Sequence, residues 1–149
     1  MSIKKSFSLI EVLVFVAILS LFLIISASVV TVSMQRNTLQ IHMIKATHYN
    51  DLLLGWIKNE KELNWNDFAA NTGNTTYCFE TDTPSWSKAV IDKNDCTATL
   101  GGMYRRYAVF NTNMALSAQI ETTIYTEWQE GGNSHSAKLH TLFTLWEEQ

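Results

Sequence analysis

Residues 7–32 read FSLIEVLVFVAILSLFLIISASVVTV, and this apolar run decides how the chain is organised. Its only formal charge is Glu11, and its other polar groups are serine and threonine hydroxyls. An α-helix of this length measures about 39 Å at 1.5 Å per residue, which exceeds the roughly 30 Å of a bilayer's hydrocarbon core. Because Lys4 and Lys5 precede the run, we expect a single membrane-spanning helix with its N-terminus in the cytoplasm.

The composition of the whole chain limits the classes of protein to which it can belong. Its 149 residues suffice for one domain with one appendage, and one proline with six glycines argues against a disordered chain. The formal charge of −3 excludes a basic nucleic-acid-binding domain. Since the excess of apolar residues lies in the N-terminal run, a polytopic membrane protein and a fully soluble cytosolic domain are excluded as well.

Two ordinary explanations of the apolar run compete with a more specific one. A cleavable secretory signal would use Ser26-Ala27-Ser28 as its cleavage site, but the apolar core of such signals is only about 7–15 residues long. A plain membrane anchor leaves Glu11 unexplained, because an acidic side chain inside a bilayer is costly and marks a functional site by default.

The third explanation accounts for the acid. After the short basic leader of residues 1–6, the stretch FSLIEVLV of residues 7–14 resembles the N-terminal signature of type IV pilins and of the pseudopilins of type II secretion. The resemblance implies cleavage by prepilin peptidase between Ser6 and Phe7 and N-methylation of Phe7. Ser6 departs from the glycine that the family usually has before the cut. Cleavage would leave 9 basic against 14 acidic side chains, since Lys4 and Lys5 leave with the leader, and the net charge would be −5.

The resemblance also implies an assembly role for Glu11. In hydrocarbon a carboxylate requires a cation, and the mature chain supplies one as the α-amino group of Phe7. Pairing within one helix is geometrically poor, so Glu11 is expected to meet the amine of a neighbouring subunit and to fix the axial register of stacking. The alternative is a Glu11 side chain that merely extends to the lipid headgroups.

Beyond residue 32 the sequence becomes amphipathic without a break. Neither proline nor glycine interrupts residues 7–54, and we predict one helix of about 75 Å from Ser8 to Lys58. Its first half, residues 7–32, is the membrane and filament-core segment, and its second half, residues 33–58, carries apolar residues on one face only. That face consists of Leu39, Met43, Ala46, Asn50, Leu53 and Ile57.

Residues 59–149 are predicted to form a globular head with an antiparallel sheet. A β-hairpin is indicated by two alternating runs, Ile120–Trp128 and Leu139–Leu145, on either side of Gly131-Gly132-Asn133. Further candidates are a helix at Trp65–Ala70 and strands at Tyr104–Phe110, Tyr77–Glu80 and Trp86–Ile91. The fold class is therefore α+β, with the spine helix packed on a small sheet, which is the pilin architecture. The strand at Tyr104, followed by a hairpin with Trp128 and Trp146, looks like the head of a minor pilin.

The two cysteines of the head, Cys78 and Cys96, are predicted to form a disulfide in an oxidising periplasm. Their eighteen-residue separation matches no metal-binding pattern, so neither zinc nor another cofactor is expected. The bond would tie the loop Thr81–Asp95 to the sheet, which pilins commonly show in their C-terminal part. The alternative is a pair of free buried thiols.

No other constellation indicates chemistry. His42 and His48 are six residues apart on the helix and do not share a face, while His135 and His140 are ordinary polar positions of the hairpin. The pair Arg105-Arg106 is too small a positive patch for DNA, and alternation places the two on opposite strand faces, where one is expected to pair with a carboxylate. Trp65 and Trp86 are expected in the core rather than on an adhesive surface. Since no catalytic motif is present, an enzyme is disfavoured.

The sequence thus predicts a minor type IV pilin, a structural subunit inserted in the bacterial inner membrane and then drawn into an extracellular pilus. Its partners would be prepilin peptidase and other pilin subunits, which it would contact through the N-terminal helix. Two alternatives stay open: a minor pseudopilin of a type II secretion system, whose filament is periplasmic, and a membrane-anchored periplasmic binding module that does not assemble.

Overall fold

The computed structural model describes residues 8–97, 99–112 and 119–145. The chain divides after Ile41 into two compact units; the described part of the first contains no element other than helix, and the second holds every other described element. The helices are α1 (Leu9–Leu63) and α2 (Trp65–Asn71), and the strands are β1 (Thr76–Cys78), β2 (Val90–Ile91), β3 (Arg105–Thr112), β4 (Gln119–Glu130) and β5 (Asn133–Thr144). Short 3-10 helices at Trp86–Lys88 and Lys93–Asp95 flank β2.

The second unit is built on a five-stranded sheet in which all neighbours are antiparallel. The strand order is β2-β1-β3-β4-β5, and β4 pairs with β5 over twelve consecutive residues without a bulge. Gly131 and Gly132 connect these two strands with φ values of 58° and 82°. Two left-handed residues in a two-residue loop are typical of the turn that matches strand twist, and glycine adopts them without steric cost.

The core lies between the sheet and the C-terminal part of α1. Along that part the buried positions are Ala46, Asn50, Leu53 and Ile57, which recur every three or four residues and so form one face. The other large core residues come from α2 and from five strand or strand-end positions of the sheet: Phe68, Phe79, Phe110, Ile120, Ile124 and Phe143. The α+β prediction, a long N-terminal helix packed against a small antiparallel sheet, is confirmed.

Asn50 is the polar member of the buried helix face. Its side-chain amide donates to the Ala137 carbonyl at 3.2 Å, and its Oδ1 accepts from the Thr126 hydroxyl at 2.7 Å. The two partners lie opposite each other on β4 and β5, so one side chain bridges both strands. Because a buried amide without partners would cost about 1–3 kcal/mol, these bonds fix where the helix rests on the sheet.

The end of the long helix and one candidate strand differ from the sequence prediction. The helix predicted to end at Lys58 continues to Leu63, because Glu60, Lys61 and Glu62 are good helix formers although they break the apolar pattern. It ends where Asn64 begins α2, since Asn64 Oδ1 accepts from the backbone N–H of Asn66 at 3.0 Å and of Asp67 at 3.3 Å. The candidate strand Trp86–Ile91 is wrong in its first half, which is the 3-10 helix.

Most of the remaining sheet predictions agree with the structure to within two residues, but the second strand of the hairpin, predicted from Leu139, begins six residues earlier at Asn133. The strand predicted at Tyr104–Phe110 is Arg105–Thr112, and the one at Tyr77–Glu80 is Thr76–Cys78. Tyr104 itself pairs with Leu100 in an isolated bridge before β3. Trp146, predicted with the last hairpin, lies outside the described residues.

Candidate assembly segment and head surface

The first unit exposes an apolar surface that no described residue covers. Phe15 and Phe22 are each 65% exposed and Ile24 is 64% exposed, although helices of soluble proteins normally bury such side chains. The helix contains a stretch long and apolar enough to cross a membrane, and none of that stretch is buried inside the protein. An uncovered apolar helix of this kind requires lipid or other helices around it.

The hydroxyl groups in this stretch satisfy themselves within the helix. Ser26 donates to the Phe22 carbonyl at 2.9 Å and Ser28 to the Ile24 carbonyl at 3.0 Å, and Ser20 and Thr31 make equivalent bonds. Such back-bonding removes the cost of placing a hydroxyl in hydrocarbon. These hydroxyl groups therefore do not require a hydrogen-bond partner from another molecule.

Glu11 is different, because its carboxylate forms no hydrogen bond or ion pair with any residue in the described part of the chain. It lies in the first turn of α1, where the Ser8 carbonyl accepts the backbone N–H of Glu11 at 3.0 Å. The helix dipole favours an acid at this end by about 1 kcal/mol or less, whereas an acid within hydrocarbon costs up to about 3 kcal/mol. The dipole alone does not offset that cost. Ser6 and Phe7, the predicted cleavage and methylation sites, lie outside the described residues.

The predicted disulfide between Cys78 and Cys96 is present. It joins the end of β1 to the segment after the second 3-10 helix, with the two Cα atoms 5.8 Å apart. Both cysteines are buried beside Tyr107, which is likewise buried. In the chain-entropy account, closing a loop of eighteen residues stabilises the head by about 3 kcal/mol.

A charged triad fastens the disulfide loop to the outer face of the sheet. Lys93 Nζ donates to Glu127 at 3.0 Å and to the Tyr107 hydroxyl at 2.9 Å, and that hydroxyl donates to Glu127 at 2.6 Å. The hydrogen bonds with Tyr107 and Glu127 raise the pKa of Lys93. Burial opposes ionisation of Glu127, but the bonds from Tyr107 and Lys93 outweigh it and lower the pKa of that carboxyl. Burial raises the pKa of Tyr107, so its hydroxyl keeps its proton at neutral pH.

The two arginines lie on opposite faces of β3, as predicted. Arg105 is exposed, whereas Arg106 is only 2% exposed and burial lowers its pKa to about 10, which still leaves it charged at neutral pH. Within the described residues neither arginine forms a salt bridge, although the Asp82 carboxylate helps to keep Arg106 charged and Arg105 helps to lower the pKa of Glu127. Arg106 instead donates to two backbone carbonyls, Tyr49 at 3.1 Å and Thr81 at 2.8 Å. The guanidinium thereby ties α1 to the start of the disulfide loop.

His42 makes a hydrogen bond that the spacing of the histidines in the sequence did not predict. Its Nδ1 lies 2.6 Å from the hydroxyl of Tyr104, whose pKa is raised by burial. His135 stacks on Trp128, and His140 contacts Glu121 at 2.7 Å. Within residues 8–97, 99–112 and 119–145, no group of three His, Cys, Asp or Glu side chains could hold a metal ion.

Comparison with protein-family models, with curated proteins and with solved structures finds no match for this chain. What the chain does must therefore be inferred from its own residues and geometry. Those residues give one uncovered apolar helix with an unpartnered acid in its first turn, and a head stabilised by a disulfide and a buried arginine.

Two structural residues of the head escaped the sequence analysis. Tyr49 supplies a backbone carbonyl to Arg106, and Glu60 accepts the indole N–H of Trp86 at 2.9 Å. No local pattern indicates either contact, because each joins α1 to a segment at least 26 residues away along the chain. Trp65 and Trp86 are partly buried against the core, which agrees with the prediction made for them.

Proposed function

We propose that this chain is a minor type IV pilin, a structural subunit that is anchored in the inner membrane, processed by prepilin peptidase and incorporated into a filament. The observation that carries the proposal is Glu11. It is the one polar side chain between residues 9 and 32 that lacks a partner within the described chain, and it lies in the register of the pilin signature that begins at Phe7.

The energetics of this acid support assembly over a solitary anchor. A lone helix in lipid leaves the carboxylate without a cation, at a cost that the helix dipole offsets only in part. If cleavage occurs after Ser6, each chain carries a new ammonium group at Phe7. A neighbouring subunit shifted along the helix axis brings its ammonium to this carboxylate, and both charges are then satisfied. Subunits in any other register leave one charge unpaired, so the pair selects the register.

The architecture of the second unit supports the same role. A disulfide and Arg106 hold the loop of residues 81–95 against the helix and sheet. In a filament such a head would be carried by the helix, and as a minor subunit it would aid assembly, initiation or adhesion. A pseudopilin of a type II secretion system would use the same helix and pairing and would differ in the location of the filament.

The experiment replaces the acid and measures incorporation. We expect Glu11→Ala to insert in the inner membrane at the normal level and to be absent, or reduced at least about tenfold, in filaments sheared from the cells, because the ion pair is lost. Glu62→Ala is the matched control, since Glu62 is an exposed acid near the other end of the same helix. Equal incorporation of Glu11→Ala and Glu62→Ala would reject the proposal and leave the membrane-anchored module.

A further inference from the structure

The outer face of the head, opposite α1, carries an open polar cleft. It has a volume of about 450 Å³ and lies between the segment after Cys96, the start of β3 and the β4–β5 end that holds the glycine turn. We call it the Arg105 cleft; the residues that matter here are Thr97, Thr99, Arg105, Glu127, Gln129 and Ser134. The volume falls within the range of about 300–1,000 Å³ that is usual for small-ligand sites.

The walls of the Arg105 cleft are held in place by bonds that need no ligand. The disulfide fixes Cys96, and Glu80 accepts the backbone N–H of the next residue, Thr97, at 2.8 Å. Across the cleft, Glu127 is fixed by its bonds to Lys93 and Tyr107. A site whose walls are ordered in advance loses less entropy when it binds.

The charge balance of the cleft favours an anion. Glu127 is already paired with Lys93 at 3.0 Å, so its negative charge is compensated. Arg105 lies directly opposite Glu127 in the β3–β4 register and its charge acts on that carboxyl, but its guanidinium makes no hydrogen bond or salt bridge with the described residues. Two cations, Lys93 and Arg105, therefore face one carboxylate, and the exposed fork of donors on Arg105 matches a second carboxylate.

The rest of the lining favours a ligand rich in hydroxyl groups. Thr97, Thr99 and Ser134 contribute hydroxyls, and Gln129 contributes an amide, all of which both donate and accept hydrogen bonds. Lipids and apolar peptides would leave these groups unpaired.

We propose that the Arg105 cleft binds a saccharide that carries a carboxylate, with the acid on Arg105 and the ring hydroxyls on the threonine, serine and glutamine side chains. This goes beyond the proposed filament role and does not depend on it, because binding by the head requires neither cleavage nor assembly. A pilin or an unassembled anchored module would bind the same ligand.

The test is a titration of the full chain in a zwitterionic detergent without a sugar headgroup. The probe is D-glucuronate. D-glucose is the control that has the sugar ring without the carboxylate, and acetate is the control that has the carboxylate without the ring. We expect saturable binding of glucuronate with a dissociation constant in the millimolar range, at least about tenfold tighter than either comparison ligand. Equal binding of acetate, or no saturable binding of glucuronate, would overturn the proposal.

Substitutions inside and outside the Arg105 cleft test whether glucuronate binds there. Arg105→Gln is expected to weaken glucuronate binding about tenfold or more, whereas Lys138→Gln, which removes a positive charge from the same sheet face outside the cleft, should change it less than about twofold. Ser134→Tyr fills the cleft at an exposed strand position without changing the charge, and it should abolish binding while the circular dichroism spectrum is unchanged. If Arg105→Gln and Ser134→Tyr both bind as the parent chain does, the site is not this cleft.

Discussion

The two parts of α1 place similar side chains in opposite surroundings. Ile24, in the first compact unit, is 64% exposed, and Ile57, in the second, is completely buried. The second part is amphipathic and packs its apolar face on the sheet, whereas the first is apolar all round and has no cover among the described residues. Apolar side chains thus have different roles in the two parts of α1. Those of the C-terminal part stabilise the head, and those of the N-terminal part are available to lipid or to further helices.

We expect the largest effect when the same isoleucine-to-alanine substitution is made in each of the two parts of α1, and this comparison tests the contrast between them. Ile57→Ala should lower the free energy of unfolding of the head by about 2–5 kcal/mol, because it removes buried methyl groups and leaves a cavity. Ile24→Ala should change it by less than about 0.5 kcal/mol, since this side chain is exposed. Urea unfolding of the full chain in detergent, followed by near-UV circular dichroism, measures both. Equal losses for the two variants would contradict the division of the helix.

The buried side chain of Arg106 is expected to hold the C-terminal part of α1 against the disulfide loop. Arg106→Gln should destabilise the head by about 2 kcal/mol, because the shorter side chain cannot reach both the Tyr49 and Thr81 carbonyls and leaves buried acceptors unpaired. The adjacent Arg105→Gln is exposed and should stay within about 0.5 kcal/mol of the parent. Thermal unfolding distinguishes them, and a Gln at position 106 that costs nothing would show that these bonds do not hold the helix.

The smallest expected effect is the dependence of the head's stability on pH. The pKa of Glu127 is lowered in the folded state, so its stabilisation is present above the ordinary carboxyl pKa near 4.3 and is lost as pH falls through the folded value. The pKa of Lys93 is raised, so its contribution is present below about 10.4 and is lost as pH rises through the folded value.

Glu127→Gln should therefore lower the melting temperature at pH 7 and have no effect near pH 2. The loss at neutral pH should stay below about 1 kcal/mol, because Lys93 is 49% exposed and water screens the pair. Glu121→Gln is the control, as Glu121 is a half-exposed acid of the same strand whose partner is His140. A deficit for Glu127→Gln that persists at pH 2 would show that packing, rather than charge, is responsible.

Local patterns predicted most of the fold because most of its elements are defined by their own sequence. The absence of proline and glycine through residue 54 predicts the long helix, and the alternation around Gly131-Gly132 predicts the hairpin. Boundaries were less accurate where polar residues continue a helix, as in residues 59–62. The segment Trp86–Ile91 misled because aromatic and β-branched residues favour strands, while Trp86 turns inward to pack on the core.

Long-range contacts could not be predicted from one sequence. Arg106 reaches the carbonyl of Tyr49 across 57 residues, and His42 reaches Tyr104 across 62. Such partners depend on the order of strands in the sheet, which periodicity does not specify. The disulfide was predictable only because two cysteines allow a single pairing. The Arg105 cleft was not predicted, since its lining comes from four separate segments.

The central claim is that Phe7 becomes the N-terminus of the mature chain and supplies the cation for Glu11 of a neighbour. It is tested most directly by the intact mass and N-terminal fragment masses of the chain purified from the membranes of cells that make it naturally. Our account predicts a chain that begins at Phe7 and carries one methyl group on its α-amine. A chain that begins at Met1, or at Val29 after a secretory cleavage, would contradict it.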